Sequence, residues 1–183
     1  MDILNVGIVL VTMMTPNLEQ TIKRINMNLT DNQIRAYSYA IRKYSIGNNI
    51  DPLLVAAVIA AESSFKYDAK GTKGEIGLMQ LRPQFHATYI PMEEREEYLY
   101  EADNNISIGA KYLAGLQTVF KPIYGDLRFV EHFNRGPNTK PLKFPYYQRV
   151  LQYYTIFGGS IERSKSLPSA KGKPREYRRI ANS

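Results

Sequence analysis

The chain has no cysteine and only two histidines. Without cysteine there can be no disulfide, thiolate metal centre or cysteine nucleophile. The absence assigns no compartment, because exported proteins also do without cysteine. His86 and His132 lack the spacing of a metal-ligand set, so packing or solvated roles are expected and no metal or other cofactor is implied. There is no glycine-rich phosphate loop and no serine-hydrolase arrangement. The apolar opening ILNVGIVLVTMM is too short to span a bilayer, and Asp2 stands where a signal peptide would carry positive charge. A buried strand or helix is the favoured reading of that segment; a degenerate export or membrane-associating segment is the alternative.

What is present suffices for one ordinary domain: 183 residues, 44% hydrophobic, with fourteen tyrosines. The net charge of +7 suits an anionic partner such as a bacterial wall, a membrane surface or nucleic acid. Most of that excess lies in residues 160–183, which hold seven basic and two acidic side chains and few large apolar ones. This reads as a flexible tail, either solvated or partner-binding. No nucleic-acid-reading module is recognisable, so no specific nucleic-acid partner is expected. The chain divides into an apolar lead-in at 1–29, a domain at 30–158 and a basic tail at 159–183.

The periodicities predict a mainly α domain. Thr30 with Gln33 forms a capping-box pattern, and Ile34, Tyr37, Ile41 and Tyr44 mark one helical face before SIGNN breaks it. Asp51-Pro52 starts a second helix. Its first ten residues, PLLVAAVIAA, carry no polar side chain, which predicts burial on nearly all sides. Residues 63–76 read as a loop, GLMQLRPQFHATY as a short helix interrupted near Pro83, and EEREEYLYEA as a surface helix. Three further helices are expected: one through Gly109, Tyr112, Leu116 and Val119, one at 126–135, and one at 145–157 starting on Pro145.

The abrupt feature is Glu62, which ends the apolar run. A carboxylate packed there loses solvation when ionised, so its pKa should rise toward the range of a general acid. A glutamate at a helix end can equally face solvent or bond to local backbone. The stretch beyond it bears on the choice. Glu62-Ser63, Phe65, Ala69, Gly74 and Gly77-Leu78-Met79-Gln80-Leu81, followed by Pro83, resemble the lytic transglycosylase family of bacterial and phage enzymes. Asn105-Ile106, Gly109 and Tyr112-Leu113 resemble a later segment of that family, and Phe133-Asn134-Arg135-Gly136-Pro137 resembles its Tyr-Asn-Ala-Gly-Pro. Tyr146 with Val150-Leu151 is similar to its closing helix. The four pieces fall in the family's order over roughly residues 45–155.

The resemblance implies a lysozyme-like single domain and a role for Glu62 as catalytic acid and then base. Cleavage of the β-1,4 linkage of peptidoglycan glycan strands would leave 1,6-anhydromuramic acid. It further implies sugar-groove roles for Met79, Gln80, Tyr112, Asn134 and Tyr146. A conventional glycosidase uses two carboxylates. Asp68 is the nearest downstream candidate, but it occupies a variable polar position and reads as a turn residue. Several positions depart from the family pattern. Gly71 stands where serine is common, with Ser63, Ser64 and Thr72 as hydroxyls that could compensate. Gly74-Glu75 replaces Gly-Ala, Phe85 replaces threonine, and His132 and Arg135 replace small residues.

The expected function is a peptidoglycan lytic transglycosylase acting at the bacterial cell wall or periplasm. Delivery by a phage particle, or work beside virion or secretion-machine proteins, fits the short chain and basic tail. A hydrolytic lysozyme of the same fold and an inactive wall-binding or assembly protein remain as alternatives.

Overall fold

The computed structural model describes residues 17–85, 95–137 and 144–160. Within them the regular elements are helices: α1 (Leu18–Ile25), α2 (Asp31–Gly47), α3 (Pro52–Ser63), α4 (Arg95–Tyr100), α5 (Ala102–Tyr124), α6 (Glu131–Arg135) and α7 (Pro145–Ile156). Short 3-10 helices lie at Pro83–Phe85 and Leu127–Val130. The segment 1–16, His86 and the tail from residue 161 lie outside the described residues.

The local signals act as their chemistry dictates. Thr30 and Gln33 form a reciprocal capping box at the start of α2. Asp51 accepts a hydrogen bond from Leu53 N at 2.8 Å, and Pro52 occupies the first turn of α3. Helix α2 runs on to Gly47, through the SIG expected to end it, and stops where Asn48 Nδ2 donates to Tyr44 O. Ile34, Tyr37 and Ile41 face the core, while the Tyr44 hydroxyl donates to Asp103 at the surface.

Helix α3 is the central element. Residues 54–60 are all buried, and the helix lies between α2 and α7. Leu18, Ile22 and Leu29 also join the core, so packing extends into the stretch expected as a lead-in. Helix α4 contributes Leu99, fully buried, so it is a half-buried helix rather than a purely surface one.

One expected element is corrected. The segment from Gly77 is not α-helical up to Pro83; it is a tight turn followed by the 3-10 helix at Pro83–Phe85. Gly77 at φ +76° and Gln80 at φ +48° are left-handed, which an α-helix cannot accommodate. Ile76 and Leu81 exchange backbone hydrogen bonds of 2.9 and 3.0 Å across the turn.

Asn105 in α5 holds this turn from beneath. Its Oδ1 accepts from Met79 N at 2.8 Å, and its Nδ2 donates to Ile76 O at 3.0 Å and Leu99 O at 2.7 Å, all in a fully buried position. Truncation would leave buried backbone groups without partners. Asn105→Ala is therefore expected to destabilise the fold by roughly 2–4 kcal/mol, read as a lower midpoint in urea unfolding.

Candidate active site

Glu62 is the penultimate residue of α3, in its last turn, where the helix dipole disfavours an anion. Burial is the largest influence on its carboxyl, which is pushed up to about 6 from 4.5. Three neighbours modify the effect: Tyr146 and Arg149 favour the carboxylate, and the charge of Glu75 opposes it. The Tyr146 hydroxyl is buried and faces Glu62. It acts on the carboxyl as a dipole without the alignment of a regular hydrogen bond. Arg149 is exposed, with its guanidinium 5.3 Å from the centre of the Tyr146 ring.

The chain leaves Glu62 by a forced turn. Ser64 at φ +51° and Phe65 at φ +62° are consecutive left-handed residues that are not glycine, each costing on the order of 1–2 kcal/mol. Full burial of the Phe65 ring, edge-on to Phe157 with centroids 6.2 Å apart, offsets that strain by roughly 2 kcal/mol. The Ser63 hydroxyl donates to Leu78 O at 2.8 Å and so ties the end of α3 to the Gly77–Gln80 turn. The Ser64 hydroxyl lies against Ala60 O, and Thr72 is exposed.

The residues expected to bind sugar occupy different depths. Met79 is fully buried, its sulfur packed where a Cβ on Gly109 would sit. Gln80 is half-buried, and its Nε2 donates to Ala69 O at 3.1 Å and Gly77 O at 3.0 Å, which makes it a staple of the loop. Tyr112 packs against Phe133 with ring centroids 5.4 Å apart, and burial pushes its phenol up to about 12. Asn134 is exposed on α6. Asp68 is exposed in the turn after α3. His132 is buried, stacked on Phe120 at 3.7 Å, with its Nε2 2.8 Å from the Tyr124 hydroxyl.

Sequence reasoning missed the charged neighbours of Glu62. Glu75 had been noted only as a departure from pattern, and Arg149 gave no local signal because it comes from a helix distant in the chain. Among the described residues, no group of three or more His, Cys, Asp or Glu side chains could hold a metal ion.

The site thus combines a desolvated carboxyl at the end of a buried helix with a tyrosine and a stapled glycine-bearing loop. The Transglycosylase SLT domain family model matches residues 39–144, and the chain belongs to that family. Relatives include the membrane-bound lytic murein transglycosylase C of Photorhabdus laumondii, 32% identical over 99 residues, covering 51% of this chain and 28% of that protein. The protein of the same name from Klebsiella pneumoniae is 32% identical over 106 residues, covering 52% of this chain and 29% of its own. The chain thus spans less than a third of the length of the curated relatives it matches. Among solved structures, an inactive mutant of lytic transglycosylase Slt from Pseudomonas aeruginosa is similar at TM-score 0.52 and 23% identity, covering 66% of this chain and 23% of that one. That likeness supports the lysozyme-like helical fold expected from the sequence.

A pKa raised by folding costs stability above it. Between 4.5 and about 6 the folded state binds more protons at Glu62 than the unfolded chain does, so stability falls as pH rises through that window and stays lower beyond it. Glu62→Gln is therefore expected to exceed the wild type by about 1–2 kcal/mol at pH 7.5 and to match it near pH 4. Urea unfolding at the two pH values measures the difference.

Proposed function

We propose that the protein is a peptidoglycan lytic transglycosylase with Glu62 as its general acid and base. The observation that carries the reading is the desolvated Glu62 carboxyl, raised to about 6, at the end of α3 in a chain of the SLT family. A carboxyl in that range is partly protonated near neutral pH and can give its proton to a leaving oxygen. In the proposed reaction Glu62 protonates the glycosidic oxygen between N-acetylmuramic acid and N-acetylglucosamine, and the C1–O bond breaks. The C6 hydroxyl of the muramic residue then attacks C1 and its proton passes to the Glu62 carboxylate. The product carries a 1,6-anhydro ring, and no water is consumed.

The other roles follow from position. Tyr146 orients the Glu62 carboxyl through its hydroxyl, and Gln80, Tyr112 and Asn134 line the sugar groove. Met79 forms the floor from beneath, and Ser63 fixes the loop to the catalytic helix. Gly71 and Asp68 contribute loop shape and not proton transfer. The catalytic unit is residues 30–158, extended back to Leu18 by the packing of α1. Work at the cell wall or periplasm follows from the substrate. Delivery by a phage particle or a secretion machine is the setting we favour.

Purified sacculi digested by the protein should release soluble muropeptides ending in 1,6-anhydromuramic acid, as read by mass spectrometry. Glu62→Gln should lower the release rate by at least about a hundredfold. Reducing muramic ends, heavier by one water, would reject the transglycosylase in favour of a hydrolytic lysozyme. Binding to sacculi without products would reject both.

A further inference from the structure

Gly71 and Glu75, two separate departures from the family pattern in sequence, form one feature in space. A Cβ at residue 71 would overlap Glu75 Oε2 and would stand 2.9 Å from both Glu75 Cβ and Gln80 Oε1. The Gly71 backbone is not left-handed, so its neighbours and not its φ exclude a side chain there. Gly71 N donates to Glu75 O at 2.7 Å, which closes the loop around that contact.

The carboxylate above Gly71 is held at both oxygens. Lys73 N donates to Oε2 at 2.9 Å, while Arg82 Nε and Nη2 donate to Oε1 at 2.8 and 2.6 Å. The Glu75 side chain is 19% exposed and that of Arg82 29%, so the clamp is partly shielded from competing water. Burial favours the neutral acid, but the Arg82 hydrogen bond followed by the backbone donors outweighs it and keeps Glu75 below the usual carboxylate range.

We infer that Glu75 is a positioning residue of this site: an anionic group carried into the space over Gly71, locked there by Arg82, and set near Glu62 so that it acts on the reaction through that carboxyl. The inference rests on Glu62 as the general acid. Beside burial, the groups that act on the Glu62 carboxyl are Tyr146 and Arg149 from α7 and, with the smallest effect, Glu75 from the loop. The first two stabilise the carboxylate; Glu75 alone among them favours the proton-bearing form that can donate to a leaving oxygen. A serine hydroxyl at residue 71 carries no charge and could not replace this effect. Gly71 is therefore the space that admits a second carboxylate, not merely a missing hydroxyl.

Two measurements test the two halves of the inference. In a double-mutant cycle read by urea unfolding, Gly71→Ser should lower the folding equilibrium constant by roughly tenfold or more in the wild-type background, but by less than about threefold beside Glu75→Gly, which removes both the carboxylate and the Cβ that a residue-71 side chain would meet. Equal losses in both backgrounds would overturn the packing claim. In the pH dependence of muropeptide release at low substrate, Glu75→Gln should move the alkaline half-point down by about half a pH unit, and Arg149→Gln should move it up. An unmoved half-point for Glu75→Gln would overturn the electrostatic claim. Loss of product at every pH from a folded Glu75→Gln protein would assign direct catalysis and overturn the positioning role. Glu62→Gln run alongside isolates the underlying reading: if it keeps wild-type release, the general-acid assignment falls, while the unfolding cycle still decides the Gly71–Glu75 contact.

Discussion

The rest of the structure depends on enclosing a helix that has no polar face, and the enclosure leaves one carboxyl half-buried at its C-terminal end, where ionisation opposes folding. Residues 54–60 are buried, so α3 must be surrounded, and α2 and α7 do most of the surrounding. Each buried Leu, Val or Ile there stabilises the fold by roughly 1.5–3 kcal/mol, while an ionised Glu62 costs on the order of 2 kcal/mol. The apolar run thus makes the unfavourable carboxyl tolerable many times over. The same run causes the chemical effect, because it keeps water away from one side of the carboxyl. Fold stability and acid strength have one origin here.

That constraint dictates how the chain departs. Continuing α3 would bury further polar residues, and so the backbone turns left-handed at Ser64 and Phe65. The return path to the site then has irregular backbone whose buried groups still require partners. Side chains supply them: Ser63 to Leu78 O, Asn105 to three backbone groups around the turn, and Gln80 to Ala69 O and Gly77 O. The loop is closed in this way by side chains and by isolated backbone bridges, Lys70 to Ile76 and Ile76 to Leu81, without belonging to a sheet. It can present Glu75 at a defined place because its own backbone is already satisfied.

The helices were legible because their signals are local. The Thr30–Gln33 box, the Asp51-Pro52 cap and the Pro145 start each depend on residues within one turn, and each appears where the spacing put it. The turn at Gly77–Gln80 was misread as helical because GLMQL has helix-forming residues, while its conformation is set by Asn105, distant in the chain. The charge environment of Glu62 was illegible for the same reason. Arg149 follows Tyr146 by three residues on α7, and nothing near Glu62 in sequence indicates it. Asp68, close in sequence, lies exposed in the turn after α3.

Gly71 shows how far a position-by-position comparison can carry and where it stops. Against a pattern with serine, glycine at 71 reads as a loss, and glutamate at 75 against alanine reads as an unrelated surface change. The geometry makes each the condition of the other: the Glu75 carboxylate needs the volume over residue 71, and only glycine leaves it vacant. Arg82 completes the set, because an unpaired carboxylate folded back over its own loop would be drawn out toward water. The Glu75 charge favours the protonated form of Glu62. Arg149 lies over the ring of Tyr146, and its charge acts on Glu62 in the opposite sense to that of Glu75. Burial raises the carboxyl, and these two charges adjust how far. Of the departures from the family pattern, Gly71 and Glu75 thus bear together on the proton affinity of Glu62.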